Sequence, residues 1–273
     1  MSNIDTKESQ ELPNEYKYTD EGKAHLHSYL GKPLLGTSTV VGVLSKNLTW
    51  WSAELSAVEC LEAGEKIPTI RAEYLEAKKE GKTGIDALQK KYPIFKKARF
   101  AHMNDRDAKA DKGTDMHALL EEYVKNCIDN NQGKPLVVTH ELKQIQMFID
   151  WSIINVNKFM FSERNVYSSR LWTGGIFDLM FEDKGGRICI GDFKSSKEAY
   201  LSQFIQIAGY DIQQWENGIF NDDGYKLSEG YKIEAYYVFP FGSEKFEVGV
   251  RLNTEILKDG FENCVNLYKL TNE

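Results

Sequence analysis

The sequence predicts an α/β fold in which helices flank a central mixed sheet and a helical insertion extends from it. Two short apolar runs, each interrupted by one acidic residue, are typical of neighbouring buried strands at residues 174–194. The segment that follows has apolar residues at helical spacing, and two further strand-like runs lie near the carboxyl terminus. With 273 residues, 41% of them hydrophobic, the chain is long enough to enclose a large core.

The domain organisation is expected to be simple, because no internal repeat or low-complexity linker divides the chain. We expect residues 16–273 to form one domain, with the helical insertion or arch at about 48–130. Residues 1–15 are polar and acidic, lack a signal-peptide apolar core, and are expected to be mobile. No run approaches the length of a membrane span, so we expect a soluble cytoplasmic protein without a membrane partner.

The first chemically informative segment leads into a helix at His117. Thr114 is a plausible N-cap, and an apolar stripe then follows at helical spacing, at Met116, Leu119, Leu120, Tyr123 and Cys127. His117 would lie in the first turn beside this stripe. A lone histidine there is either a surface or capping residue or a ligand.

The two strands at 174–194 carry acidic residues where apolar residues would be expected. Asp178 interrupts the first strand and Asp192 the second, and a glycine-containing turn over 183–187 predicts a hairpin between them. By alternation, Asp178 and Met180 should share one face, opposite Phe177, Leu179 and Phe181, and Asp192 should share a face with Lys194. A buried Asp costs several kcal/mol unless something binds it, so the pattern indicates a metal site.

The helix after the second strand has two stripes. One is apolar and should face the core, at Leu201, Phe204, Ala208, Ile212 and Trp215. The other is polar, at Gln203, Gln206, Tyr210 and Gln213, and either binds phosphates and positions Lys194 or is a solvated face. Beyond it, residues 231–240 and 245–252 are expected to be strands, and Thr254 is expected to cap a last helix.

The ordered set of motifs resembles the PD-(D/E)XK nuclease superfamily, and within it the RecB-like exonuclease branch. The matching residues are Asp178 in a G-x-x-D hairpin, Asp192 and Lys194 in a D-x-K strand, and Gln206 with Tyr210 in a Q-x-x-x-Y helix. Upstream, Gly113-Thr-Asp-Met-His117 matches a G-T-x-x-H pattern, and Gly36-Thr-Ser-Thr39 resembles the opening of phage-type and mitochondrial genome maintenance exonucleases. The resemblance implies a restriction-endonuclease-like core.

The same resemblance implies a set of site residues. Catalytic roles fall to Asp178, Asp192, Lys194, Gln206 and Tyr210. Metal ligands would be His117, Asp178, Asp192 and the backbone carbonyl of Phe193, and Glu163 takes the place of a further acidic residue or is a surface residue at a strand start. Carboxylate and carbonyl oxygens suit Mg²⁺ or Mn²⁺, which phosphodiester hydrolysis uses to activate water and stabilise negative charge.

Nucleic-acid binding is expected to be local, because the net charge of the chain is −7. The segment Lys78–Lys112 carries eleven Lys or Arg against five Asp or Glu, and aromatic residues are interleaved with them. Such a segment suits single-stranded DNA, although it could also be a charged helical face without function. The residues expected to contact DNA are Lys90, Lys91, Lys96, Lys97, Arg99 and Gln203.

The cysteines predict no iron–sulfur cluster. Cys60, Cys127, Cys189 and Cys264 lie far apart, without the tight carboxyl-terminal group that some RecB-like nucleases use. Reduced and mostly buried thiols are expected in a cytoplasm.

Three functions remain open from the sequence. The first is a Mg²⁺- or Mn²⁺-dependent exonuclease acting on single-stranded DNA or DNA ends in recombination, repair or phage DNA processing, in a bacterial or phage-infected cell. Recombination or replication proteins would then be possible partners. The second is a catalytically idle DNA-binding or assembly subunit of the same fold. The third is a restriction-type endonuclease.

Overall fold

The computed structural model describes residues 15–20, 25–44, 56, 71–72, 75–76, 79 and 93–272, and the side chains of these residues except those of 93–95, 99 and 102–115. The chain divides into two compact units. One comprises Met1–Ser45 with Met116–Glu273, and the other comprises Lys46–Asp115.

The described elements comprise eleven strands and five α-helices, with a 3-10 turn at Gly42–Leu44. In chain order they are β1 (Tyr16–Asp20), β2 (His25–Tyr29), β3 (Lys32–Pro33), β4 (Leu35–Gly36), α1 (Thr37–Val41), α2 (Pro93–Asn130), α3 (Lys143–Asn155), β5 (Val156–Ser168), β6 (Thr173–Asp183), β7 (Ile188–Lys194), α4 (Leu201–Asn217), β8 (Ile219–Phe220), β9 (Lys226–Ser228), β10 (Ala235–Pro240), β11 (Gly249–Arg251) and α5 (Glu255–Asn272).

The central sheet is mixed, as the sequence predicts. Its strand order is β11-β10-β7-β6-β5-β8-β9, with β4 beside the start of β6. Strands β10 and β7 are parallel, as are β4 and β6, whereas the β5-β6-β7 meander is antiparallel. Strands β1, β2 and β3 form a separate antiparallel sheet. None of the helices in the part of the chain that the structure describes is long and apolar enough to cross a membrane.

Helices cover both faces of the central sheet, so the predicted α/β architecture is confirmed. On one face, α4 and α5 enclose a core with Met180, Ile190 and Val238 of the strands. On the other, α2 and α3 pack on Leu179 and Phe181. The described cysteines, Cys127, Cys189 and Cys264, are free and buried, and Cys60 lies outside the described residues.

Four sequence predictions about these elements are wrong, in whole or in part. Thr114 is not an N-cap, because α2 begins at Pro93 and continues through it. The surrounding Ala, Lys, Arg and Met residues favour helix strongly enough to offset Gly113, which costs about 1 kcal/mol. The prediction that the apolar stripe of α4 faces the core is also wrong at both ends of the helix. Leu201 and Trp215 are 61% and 64% exposed, because only the middle of α4 lies between the sheet and α5.

The alternation predicted for β6 breaks at Asp178. Phe177 and Met180 lie in the core beneath α4, whereas Leu179 and Phe181 lie in the core on the opposite face. Phe177 is therefore not on the side of Leu179, as strict alternation would require. Near the carboxyl terminus, the two predicted strands are shorter than expected, and α5 begins directly after Thr254, as predicted.

Candidate metal centre

Three acidic residues occupy facing positions on three neighbouring strands. In the β5–β6 ladder, Ser162 pairs with Leu179 and Arg164 with Phe177, so Glu163 lies opposite Asp178. In the β6–β7 ladder, Leu179 pairs with Gly191, and the same register brings Asp192 opposite Asp178. The antiparallel meander thus collects Glu163, Asp178 and Asp192 in one row across the sheet.

His117 reaches this row from helix α2. Its Nε2 lies 3.0 Å from Oδ2 of Asp178, and its Nδ1 lies 3.5 Å from Oε1 of Glu163. Its ring meets that of Phe193 edge-on, with centroids 5.4 Å apart. One atom from each of His117, Glu163 and Asp178 lies within 4.8 Å of the others, a spacing that suits shared ligation of one cation.

Asp178 also bonds the backbone of the next strand. The N–H of Phe193 donates to Oδ2 of Asp178 at 2.5 Å. The carboxylate of Asp178 therefore accepts a hydrogen bond that a backbone carbonyl would accept in a regular ladder. This agrees with the break in alternation at Asp178. Opposite it, Glu163 adopts φ of 45°, a left-handed conformation that is strained for a residue other than glycine. Strain of this kind is concentrated at functional sites.

Asp192 is the most deeply buried member, with 1% of its surface exposed. Nζ of Lys194 lies 2.5 Å from its Oδ2. Oδ2 of Asp192 is therefore ion-paired, whereas its Oδ1 has no hydrogen-bond donor among the described residues. Oε1 of Glu163 is also buried, and its contact with Nδ1 of His117 is long, at 3.5 Å. One carboxylate oxygen, Oδ1 of Asp192, is thus removed from water and left without a donor among the described residues.

The protonation of the carboxylates follows from their burial. Burial raises the pKa of Glu163 to about 7, although its hydrogen bond to His117 opposes the shift. Burial likewise raises the pKa of Asp192 to about 7 against the charge of Lys194. Burial also acts upward on Asp178, but the charge of His117 outweighs it and the pKa of Asp178 is lowered.

The two basic groups are held in their charged forms. Burial lowers the pKa of His117, but the charges of Asp178 and Glu163 outweigh this effect and raise it to about 11. In the same way, the charge of Asp192 outweighs the burial of Lys194, whose pKa is raised. Both groups therefore lie positively charged against the carboxylates.

The residues fit a divalent cation. Carboxylate oxygens are the donors that Mg²⁺ and Mn²⁺ prefer, and an imidazole is tolerated better by Mn²⁺. Oδ1 of Asp192, which has no donor among the described residues, and Oε1 of Glu163, whose contact with His117 is long, would each gain a partner from a bound ion, which is a physical reason for their arrangement. The ligand role of the Phe193 carbonyl stays a prediction.

Gln206 and Tyr210 lie together beside the row of carboxylates. Nε2 of Gln206 donates to the hydroxyl of Tyr210 at 2.6 Å. Burial and then the charges of Asp192 and Asp178 raise the pKa of Tyr210, so its phenol stays protonated beside them. A Cβ at Gly175 would lie 2.6 Å from the Tyr210 ring. Gly175 therefore permits the close approach of α4 to β6.

A polar network that the sequence reasoning missed anchors α1 to the same place. Thr37 is buried, and its hydroxyl donates to the carbonyl of Gly174 at 3.0 Å. Gln213 donates to the hydroxyls of Thr37 and Thr173 at 2.8 and 2.9 Å. Gln213 thus supports the fold and does not lie on a solvated stripe. Two adjacent glycines inside a strand were the available signal of such close contacts.

The residues expected to contact DNA divide into three groups. Gln203 accepts a hydrogen bond from the Tyr200 N–H at 2.8 Å and donates to Ser196 at 3.0 Å, so its amide already caps α4. Lys96 and Lys97 are exposed on α2. Lys90 and Lys91 lie outside the described residues, as does the side chain of Arg99.

No family model matches the chain, and no curated protein matches it.

Proposed function

We propose that this protein is a metal-dependent deoxyribonuclease with a restriction-endonuclease-like core, of the RecB-like exonuclease kind, that hydrolyses phosphodiester bonds of single-stranded DNA or of DNA ends. The observation that carries the proposal is the row of Glu163, Asp178 and Asp192 across three neighbouring strands, with His117 and Lys194 against it. Residues of the G-x-x-D, D-x-K and G-T-x-x-H motifs meet at this row, which supports the proposal.

The residues of the proposed site divide among three tasks: binding the metal ion, stabilising negative charge and donating a hydrogen bond. His117, Glu163, Asp178 and Asp192 would hold Mg²⁺ or Mn²⁺, which when bound supplies an activated water and offsets negative charge. Lys194 has a raised pKa and stays cationic, so it stabilises charge that develops on the phosphate. The protonated hydroxyl of Tyr210, oriented by Gln206, is placed to donate a hydrogen bond beside the carboxylates.

The unsatisfied oxygen of Asp192 favours an active enzyme over an idle subunit. Burying Oδ1 of Asp192 without a donor destabilises the metal-free protein, and leaving such a polar atom unpaired costs about 1–3 kcal/mol. A subunit that only binds DNA has no use for that arrangement, whereas a metal-dependent enzyme has. The family-level resemblance favours an exonuclease over a restriction-type endonuclease.

The test is incubation of the protein with 5′- and 3′-labelled single- and double-stranded DNA and with circular single-stranded DNA, in Mg²⁺, Mn²⁺ or EDTA. An exonuclease shortens the linear substrates from an end, spares the circle and is inactive in EDTA. Cleavage of the circle would identify an endonuclease. Binding of DNA without cleavage in either metal would identify an idle subunit and overturn the proposal.

A further inference from the structure

The hairpin formed by β1 and β2, here called the aromatic hairpin, carries tyrosines and histidines on one face. Alternation brings Tyr16 and Tyr18 of one strand together with His25 and His27 of the other. The hydroxyl of Tyr16 lies 2.7 Å from Nδ1 of His27, and that of Tyr18 lies 2.8 Å from Nδ1 of His25. The same Tyr–His pairing is therefore made twice.

Each pair forms a flat plate. The ring planes of Tyr16 and His27 differ by 23° and those of Tyr18 and His25 by 15°, with centroids 6.1 Å apart in both pairs. A hydroxyl-to-ring hydrogen bond at this centroid distance requires the rings to lie end to end and not face to face. Each plate is thus about two rings long.

The plates continue a stack that starts on the central sheet. The Tyr16 ring stacks on Tyr167 of β5, with centroids 4.5 Å apart and planes within 5°. The Tyr18 ring follows against His27 at 5.3 Å, with a tilt of 39°. The order is Tyr167, then the inner plate of Tyr16 and His27, then the outer plate of Tyr18 and His25. The inner plate is buried, whereas Tyr18 is partly exposed and His25 is exposed.

The stack lies close to the metal centre. Tyr167 is four residues from Glu163 on β5, a separation of about 13 Å at 3.3 Å per residue. The side chain of His27 abuts Gly174, four residues before Asp178 on β6. Burial, followed by the charges of Asp20, Asp222 and Glu163, raises the pKa of Tyr18 to about 12, so the phenol remains neutral.

We propose that the outer plate of Tyr18 and His25 is a stacking platform for a base of a single-stranded nucleic acid whose backbone passes the metal centre. This inference rests on the proposed function and specifies its substrate as a strand with an unpaired base. Every base has an aromatic face, so such a platform holds DNA without reading its sequence. The nearby Asp20 and Asp222 repel phosphates, which favours a base over the backbone at this place.

The experiment measures binding of single-stranded oligonucleotides that contain 2-aminopurine at successive positions, using the Asp192→Asn variant so that no cleavage occurs. Stacking should quench the fluorescence at one or two positions. Tyr18→Ala should remove the quenching and weaken binding about 5- to 100-fold, the effect of losing one base–aromatic stack. Its salt dependence should not change, because every phosphate contact is retained.

Three further variants distinguish the proposed stacking role of Tyr18 from a purely structural role. Tyr18→Phe retains the ring without the hydroxyl and should keep most of the quenching and affinity. Leu26→Ala alters the opposite, exposed face of the same hairpin and should behave as the parent. His25→Ala changes only an exposed ring, so it should fold and should lose part of the quenching.

Three outcomes would overturn the inference, and they are distinguishable. Tight binding with unchanged quenching in Tyr18→Ala refutes the platform and leaves the proposed function intact. Equal losses of quenching and affinity in Tyr18→Phe and Tyr18→Ala would show that the hydrogen bond to His25 matters and that stacking does not. Absence of binding to any oligonucleotide by the parent refutes the proposed function together with the platform.

Discussion

Nε2 of His117 lies 3.0 Å from Oδ2 of Asp178, and this contact joins helix α2 to the central strand of the β5-β6-β7 meander. The same oxygen accepts the N–H of Phe193 on β7. One carboxylate is therefore contacted from a helix and from a neighbouring strand. The candidate metal centre is assembled only when α2 packs on the sheet, so its integrity reports on tertiary structure as well as on ligands.

Asp192→Asn and Lys194→Ala are expected to abolish cleavage, with losses of at least about 100-fold, as for removal of one charge-stabilising group. Asp192 is buried in the row of carboxylates and Lys194 is its ion-pair partner. Turnover of labelled single-stranded DNA measures the effect, and circular dichroism checks that folding is retained. Near parental turnover in either variant would contradict the mechanism.

Asp183→Asn is the matched control for those variants. Asp183 is a buried aspartate at the end of β6, five residues beyond Asp178, and its carboxylate accepts hydrogen bonds from Arg187 and from the turn. The variant should lose stability by about 1–3 kcal/mol, because a charge-assisted hydrogen bond is weakened, and should keep its catalytic rate.

His117→Ala should raise the metal concentration required for activity by at least about 10-fold, the effect of disturbing the ligand environment of a metal site. The imidazole contacts both Glu163 and Asp178, so its loss removes a donor and loosens both carboxylates. Titration of activity with Mn²⁺ measures the shift. His140→Ala, in the loop before α3, is the control and should leave the metal requirement unchanged. If the Mn²⁺ concentration for half-maximal activity were the same in His117→Ala as in the parent, His117 would be a packing residue and not a ligand.

Glu163→Gly is expected to unfold at a higher temperature than Glu163→Ala, although both should lose activity. Glu163 has φ of 45°, where alanine is strained and glycine is not. The left-handed conformation costs an L-residue about 1–2 kcal/mol, part of which is offset by the greater entropy of glycine in the unfolded chain. Thermal unfolding of metal-free protein measures the difference. Equal melting temperatures would show that the backbone at this position is not strained.

Local pattern predicted the parts of the site that lie on single strands and helices. Asp178, Asp192 and Lys194 are on the expected strands, and Gln206 with Tyr210 is one turn apart on the expected helix. Period-two and helical spacing are properties of neighbouring residues, so they can be read from the chain.

The features that depend on distant contacts were not predictable in the same way. The position of Glu163 within β5 depends on its pairing with β6, and the left-handed backbone there follows from that pairing. The Tyr–His plates were missed, although the alternation of Tyr16 with Tyr18 and of His25 with His27 was visible in the sequence. Their meaning depends on the hairpin register and on the stack against Tyr167.

His27→Gln should remove part of the acid sensitivity of the fold. Burial, and then the charge of His25, lowers the pKa of His27 from 6.5 to about 4. The neutral ring therefore contributes stability that is fully present above pH 6.5 and is lost as the pH falls through 4. The full contribution is on the order of 3 kcal/mol. Melting temperatures between pH 4 and 7 should fall less steeply for His27→Gln, which keeps an acceptor for Tyr16 and cannot be protonated. Melting temperatures that fall equally steeply with pH in the variant and the parent would contradict the lowered pKa of His27.

Reversal of four lysines, at Lys90, Lys91, Lys96 and Lys97, to glutamate should weaken DNA binding and flatten its dependence on salt. The chain carries a net charge of −7, so attraction to phosphates must be local, and the segment Lys78–Lys112 is markedly basic. Removal of each lysine–phosphate interaction should reduce the salt slope by about 0.7–0.9, depending on whether the strand is single or paired. Cleavage of a saturating short substrate should fall less than affinity, because our proposal gives these residues the positioning of DNA and gives the chemistry to the candidate metal centre.

The control for the charge reversal changes the net charge by the same amount elsewhere. Four exposed lysines outside the basic segment serve this purpose, at Lys134, Lys184, Lys232 and Lys245. If the general field of the protein governed binding, both sets would lower affinity equally, whereas a local interaction predicts weaker binding in the first set alone. If affinity and salt slope stayed at the parental values in the first set, the DNA path would lie away from the segment Lys78–Lys112. The aromatic hairpin would then be the surface to test next, since its contribution to binding should not depend on salt.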